Sequence, residues 1–328
     1  MQKDGRLRIP HTELEVSPLC YGAGSFGTGV TGADADKLLG AFIEAGGNFF
    51  DTAHCYAFWV EGGLGASERE LAASLRRLGY LDQAVIATKG GHPDAGEDYR
   101  RPDYFLAEQV IASDIDDSLR NLGLDYIALY FLHRDDTRMP VSEIMDILNR
   151  KVEHGRIGAL GASNWSVERI AEANAYAAAH GLQGFVASQV QWSLAEPDWK
   201  PTTDPTVRYV TQSDAAWYAS SQIPITAYSA TACGYFAGSG QQEGMFAHPT
   251  NTARYQRAQT LASQLNATPT QIALAYLLHQ EATVIPLFST TKLSHLEEII
   301  GVTNVSLTSE QVRWLRDGDT DSTTPEDA

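Results

Sequence analysis

The chain has 328 residues, 43% of them hydrophobic, with 24 basic against 41 acidic side chains and a formal charge of −17. That length suits either two ordinary domains or one large α/β barrel of about 250 residues with additions, and the apolar content supplies a sizeable core. The acidic balance argues against nucleic acid or an anionic membrane as the principal partner, because both are polyanions.

The start, Met1-Gln2-Lys3-Asp4-Gly5-Arg6, lacks the apolar stretch of a secretory signal. No later run approaches the roughly 20 apolar residues of a membrane span, so a cytoplasmic protein is expected. Residues 6–15 read as a hairpin, with Leu7 and Ile9 before Pro10-His11-Thr12 and Leu14 and Val16 after it. From there apolar runs alternate with helical patterns. Strands are expected at 17–21, 47–50, 84–88, 126–132, 157–161, 184–190, 224–228 and 282–286. Amphipathic stretches fall at 34–45, 67–78, 105–121, 142–153, 167–180, 213–221 and 251–279. Within 105–121, Leu106, Val110, Ile111, Ile115 and Leu119 recur at helical spacing, and Gly123 follows as a stop.

Strands alternating with helices of this length imply right-handed βαβ units and a parallel sheet, and eight strands close a barrel. No composition shift divides the chain and no repeat is visible. The expectation is one (α/β)8 TIM barrel over residues 1–316, with an N-terminal hairpin, extra C-terminal helices and an acidic tail at 317–328. Two insertions, the Pro/Asp/Thr-rich 193–212 and the Gly/Gln-rich 229–250, follow strands, on the side where barrel active-site loops gather. Cys20, Cys55 and Cys233 are too few and scattered for a disulfide framework and read as buried thiols in a reduced compartment. The nine histidines contain no early His-x-His, so a metal-dependent barrel hydrolase is not supported and no metal is expected.

Three polar residues end successive apolar runs: Asp51 after Asn48-Phe49-Phe50, Lys89 after Val85-Ile86-Ala87-Thr88, and His133 after Leu129-Tyr130-Phe131-Leu132. If those runs are neighbouring parallel strands, a carboxylate, an ammonium and an imidazole meet Tyr56 at the strands' carboxyl ends. A free tyrosine titrates near 10, and a lysine within hydrogen-bond reach is expected to lower that value. Asp51 is expected to keep Lys89 charged and oriented, and His133 to hydrogen-bond a substrate oxygen. Such a group suits carbonyl reduction, in which hydride reaches carbon while Tyr56 protonates oxygen. The bland alternative is a buried Lys89–Asp51 salt bridge with no further role.

Asp51-Thr52-Ala53-His54-Cys55-Tyr56, with Gly65-Ala66-Ser67-Glu68, Ile86-Ala87-Thr88-Lys89, Leu132-His133-Arg134-Asp135 and Gly158-Ala159-Leu160-Gly161-Ala162-Ser163-Asn164, resembles the signatures of the aldo-keto reductase superfamily. The resemblance runs from about residue 7 to 316. It implies an (α/β)8 barrel with Asp51, Tyr56, Lys89 and His133 as catalytic tetrad, and a nicotinamide cofactor.

Gly22-Ala23-Gly24-Ser25-Phe26-Gly27 matches a dinucleotide fingerprint literally, but Thr28 to Gly32 intervene before helical spacing begins, so Gly24 and Ser25 are better read as a close approach beneath the nicotinamide. By resemblance, Ser163, Asn164 and Gln189 hydrogen-bond the carboxamide near Asp51, and Tyr228 stacks on the ring. Ser229, Ala230 and the loop to Gly234 line the pyrophosphate. The segment from Ile285 through Glu298 is similar to the one that holds the adenosine 2′-phosphate and adenine. It departs from the common Lys-Arg pair and Glu-Asn ending, offering Ser289, Thr290, Lys292, His295 and Glu298-Ile299 instead. The resemblance implies NADPH, with NADH as the alternative.

Phe26, Phe58, Trp59, Trp165 and Trp192 are expected to wall the substrate pocket beside Tyr56 and His133. Asp198-Trp199-Lys200 and Tyr235-Phe236 are expected to finish it. Aromatic walls suit both aryl groups and sugar C–H faces, so an aldehyde, ketone or sugar carbonyl is the expected substrate, with oligomeric state open. The competing reading is a nicotinamide-binding regulatory subunit resembling potassium-channel β-subunits; the lack of a long N-terminal extension weighs against it.

Overall fold

The computed structural model describes residues 5–198, 206–239 and 244–318. A two-stranded antiparallel hairpin, β1 (Leu7–Arg8) and β2 (Glu15–Val16), precedes eight parallel strands: β3 (Cys20–Gly22), β4 (Phe49–Asp51), β5 (Val85–Gly90), β6 (Ile127–Leu132), β7 (Ile157–Ser163), β8 (Phe185–Gln191), β9 (Ile225–Tyr228) and β10 (Val284–Phe288). They pair in chain order, and β10 closes the barrel against β3 with Leu287 opposite Cys20. The expected eight strands and N-terminal hairpin are therefore present.

The helices are α1 (Gly32–Glu44), α2 (Ala66–Arg77), α3 (Glu108–Leu122), α4 (Val141–Glu153), α5 (Val167–His180), α6 (Gln212–Ser221), α7 (Pro249–Leu265), α8 (Pro269–Leu278), α9 (Leu293–Ile300) and α10 (Ser309–Asp317). Helix α3 stops where expected, on Gly123 at φ 61°. The single stretch expected over 251–279 is two helices. Asn266 ends α7 in the left-handed region at φ 51°, and Thr268, followed by Pro269, opens α8 with a capping box. Helix α10 runs through Asp317, and the expected acidic tail lies outside the described residues from residue 319 onward.

Alternation along the strands makes two cores. Phe50, Ile86, Tyr130, Leu132, Leu160 and Val190 face the helices, while Phe49, Ala87, Leu129, Phe131, Ala159 and Ala187 fill the barrel. Ile9 and Val16 of the hairpin region pack into the inner set, so the hairpin covers one end of the barrel. Gly161 belongs to this interior: a Cβ there would overlap the Phe131 ring on the adjoining strand. Cys20 and Cys55 are buried, but Cys233 is exposed, contrary to expectation. Among the described residues no helix is long and apolar enough to cross a membrane.

Candidate active site

The strand period of two decides which side chains reach the open end. Phe49 points inward, so Asp51 does too. By the same step Ala87 leads to Lys89, Phe131 to His133, and Ala187 to Gln189. Strand register brings these ends level, with Asp51 opposite Ala87 and Ser163 opposite Gln189.

Lys89 is wholly buried and Asp51 is 1% exposed. The ammonium donates to Asp51 Oδ1 at 2.6 Å, to the Thr52 carbonyl at 2.8 Å and to the Tyr56 hydroxyl at 3.0 Å. All three of its protons are thereby satisfied. Gln189 Nε2 donates to the other Asp51 oxygen at 2.8 Å. The Tyr56 and His133 rings meet edge to face with centroids 5.8 Å apart. The four expected residues thus form one contiguous group.

Burial is the largest influence on each of these groups. It pushes Asp51 above the usual carboxylate range, against the pull of Lys89 and the Lys89 and Gln189 hydrogen bonds. Burial opposes the charged form of Lys89, yet Asp51 and Tyr56 together raise its pKa above the ordinary value. Tyr56 departs from expectation. Lys89 does lower its pKa, but burial, seconded by the Asp51 charge, outweighs the ammonium, and the phenol titrates above its usual value. His133 is held well below the usual imidazole range by burial, then by Arg134, His92 and Lys89. It is a neutral imidazole at pH 7, able to donate or accept a hydrogen bond but not to serve as a second acid.

The residues expected to hold a nicotinamide lie around this group. Asn164 Nδ2 donates to Ser163 Oγ at 3.0 Å, and Asn164 Oδ1 accepts from the Tyr228 hydroxyl at 2.8 Å. Gln189 joins them through Asp51. Side-chain amides and a hydroxyl of this kind match the donors and acceptors of a carboxamide. Gly24 sits against Tyr56, where an added Cβ would lie 3.8 Å from its ring, and Ser25 Oγ is buried without a partner. The donor set and that orphaned hydroxyl fit the cofactor's reactive end. Ala57, Asn164 and Ser229, all near strand ends, have φ of 72°, 60° and 53°, a strained region for side-chain-bearing residues. Ala230 is buried, and Gly234 follows Ala232 and Cys233 in the left-handed region, at φ 81°.

Farther out, Ser289, Lys292 and His295 are exposed after β10, and Thr290 Oγ1 accepts from the Lys292 N–H at 3.1 Å. Glu298 is engaged elsewhere: its carboxylate accepts from Thr268 Oγ1 at 2.6 Å, at the start of α8.

The aromatic wall is smaller than expected. Phe58 and the 55%-exposed Trp59 contact each other beside Tyr99. Phe26 is instead in the outer core against Tyr21, and Trp165 packs on Phe185. Trp192 lines a cavity of about 630 Å³ with Tyr209 and Arg254, bordered by α6, α8 and α10 on the barrel flank. Tyr235 and Phe236 are buried next to Tyr255 rather than facing a pocket. Trp199 and Lys200 lie outside the described residues. Unforeseen from the sequence, Thr52 supplies a carbonyl to Lys89, and Cys55 and His92 both adjoin His133. Cys55 directly precedes Tyr56 and His92 follows Lys89 by three residues, but neither spacing is a known ligand pattern.

A model described as "Aldo/keto reductase family" matches residues 18–317. The chain is 30% identical to probable aldo-keto reductase 1 of Glycine max, over 92% of this chain and 85% of that protein. It is 29% identical to norsolorinic acid reductase A of Aspergillus parasiticus, over 96% and 80%. Against the aryl-alcohol dehydrogenase [NADP(+)] of Phanerodontia chrysosporium the identity is 28%, over 96% and 86%.

Proposed function

This chain belongs to the aldo/keto reductase family and is an NAD(P)H-dependent oxidoreductase; on that premise we propose that it reduces an aryl aldehyde or ketone with NADPH, taking the proton from Tyr56. The observation that carries the reading is the 3.0 Å hydrogen bond from Lys89 to the Tyr56 hydroxyl, inside a fully satisfied buried ion pair.

A bound nicotinamide supplies the hydride to the carbonyl carbon. Because the Tyr56 oxygen accepts from Lys89, its own proton is directed away from the ammonium, toward an incoming carbonyl oxygen. Proton transfer leaves a phenolate beside the ammonium, where Lys89 stabilises it. Asp51 fixes the direction of that ammonium and balances its charge. The neutral His133 donates a hydrogen bond to the same carbonyl oxygen. Ser163, Asn164 and Gln189 would hold the carboxamide, and Tyr228 would cover the ring.

NADPH is favoured by exposed Lys292 at the start of α9 and by the NADP(+) in the name of one relative. Among aldehyde, ketone and sugar carbonyls, the Phe58–Trp59 pair and the aryl alcohol in that same name favour an aromatic compound. The test is loss of NADPH absorbance with a panel of aryl aldehydes, aliphatic aldehydes and sugars, for the native protein and Tyr56→Phe. Native turnover is expected on the aryl members. The variant should still quench its tryptophan fluorescence on binding NADPH while turnover falls about 10²–10⁴-fold, the usual worth of a positioned acid. A variant within a factor of about two of the native rate removes Tyr56 from this role.

A further inference from the structure

Three donors that have no ligand spacing in sequence are gathered beside Tyr56. Cys55 Sγ lies 3.5 Å from His133 Nδ1, and the His92 and His133 rings meet edge to face at 4.9 Å. One ligand atom from each residue falls within 4.8 Å of the others. They come from three separate places: the loop after β4, the loop after β5, and the end of β6. We propose that Cys55, His92 and His133 form a binding site for a thiophilic divalent cation of the zinc class, and that filling it inhibits carbonyl reduction. The inhibition rests on the role given to Tyr56 above; the binding does not.

The spacing fits the ion. Zinc takes sulfur at about 2.3 Å and imidazole nitrogen at about 2.05 Å, and a tetrahedral angle between them sets those two ligands about 3.5 Å apart. Cys55 and His133 already stand at 3.5 Å. His92 is half-buried, on a segment outside the strands, and has to close by about an ångström to reach the same geometry. Its Nδ1 donates to the Pro93 carbonyl at 2.9 Å, which makes Nε2 the lone-pair nitrogen that a metal requires. Three protein ligands leave the fourth position for water.

The chemistry balances without a redox step. The Cys55 S–H bond breaks, a sulfur–metal bond forms, and the proton leaves to solvent, so the thiolate cancels one charge of the ion. Burial holds the free thiol up, to about 12, while Lys89 and Arg134 pull the other way. The metal therefore has to displace a proton, as thiol ligands generally require. Ligation through Nδ1 leaves the His133 ring where it stands, so the inhibition comes from the ion itself: its positive charge beside Lys89 and Tyr56 favours the phenolate and sends the Tyr56 proton to solvent before a carbonyl arrives.

Cobalt(II) provides a direct readout, because a cysteine thiolate bound to it gives a charge-transfer band in the near ultraviolet. Titrating the full chain with Co²⁺ is expected to produce that band at one equivalent, and Cys55→Ser to abolish it. Zn²⁺ is expected to inhibit the native enzyme. Its inhibition constant should rise about tenfold or more in Cys55→Ser and in His92→Ala, each rate taken relative to that variant's own rate in chelator. Absence of the band overturns the site. A band with Zn²⁺ inhibition unchanged in Cys55→Ser overturns the link to turnover. Should no carbonyl be reduced at all, equilibrium dialysis of Zn²⁺ against native and Cys55→Ser protein still decides the site, equal uptake refuting it.

Discussion

Lys89 places every proton of its ammonium inside the protein, on Asp51, the Thr52 carbonyl and Tyr56. A buried cation so completely satisfied is rigid, and its removal would leave Asp51 as an unpaired buried charge, a change that costs about 3–5 kcal/mol. The convergence of these residues is legible in the sequence because each ends an apolar run in phase with its strand's interior side. The acidity of the phenol is not. A neighbouring ammonium can be read from residue order, but the desolvation that overrides it depends on how deeply the hydroxyl is enclosed. His133 yields a pH prediction on the same ground. Unfolded histidine titrates near 6.5, and the folded ring titrates well below its ordinary value. Between those points the unfolded chain binds the extra proton, so this contribution to stability is complete above about pH 6.5 and is lost as pH falls, by at most about 1.4 kcal/mol per unit. Urea unfolding of native protein and His133→Asn should show their stability difference shrinking from pH 7 to pH 5. A difference independent of pH would mean that His133 protonates as readily folded as unfolded.

At the scale of elements, strand alternation explains both the successes and the misplacements. Gln189 and Gln191 share the inner face of β8, so Trp192 turns outward, and that much was readable from residue parity. Trp165 was not readable. Asn164 adopts φ 60° and breaks the alternation after Ser163, which sends the indole to Phe185. The break between α7 and α8 was signalled by Asn266 and Pro269, but helix-forming residues on both sides of it read as one stretch. Helix α9 begins at Leu293, and Lys292 stands exposed before it as its N-cap. If that side chain meets the 2′-phosphate, Lys292→Ala loses a charge-assisted hydrogen bond worth about 1.5–3 kcal/mol. The dissociation constant for NADPH, read by fluorescence titration, should rise about tenfold or more while that for NADH is nearly unchanged. Equal losses for both cofactors would take Lys292 away from the phosphate.

For the molecule as a whole, alternation of apolar runs with helices was enough to specify a closed barrel, because eight right-handed βαβ units leave few other arrangements. What covers each end of it depended on packing. The hairpin puts Ile9 and Val16 against the inner core, far along the strands from Tyr56. Ile9→Ala should therefore lower unfolding free energy by about 2–4 kcal/mol, as for other large-to-small core changes, with kcat left near native. A large fall in kcat at unchanged KM would show that this end of the barrel reaches the chemistry. The inner core also links distant parts of the chain. Phe131 occupies the room that any side chain at position 161 would need. Neither position can drift by itself: a bulkier residue at 161 is admissible only after the ring at 131 has shrunk, and a smaller ring opens a void until 161 fills it. Along a lineage these two sites, thirty residues apart, are bound to exchange volume as a unit.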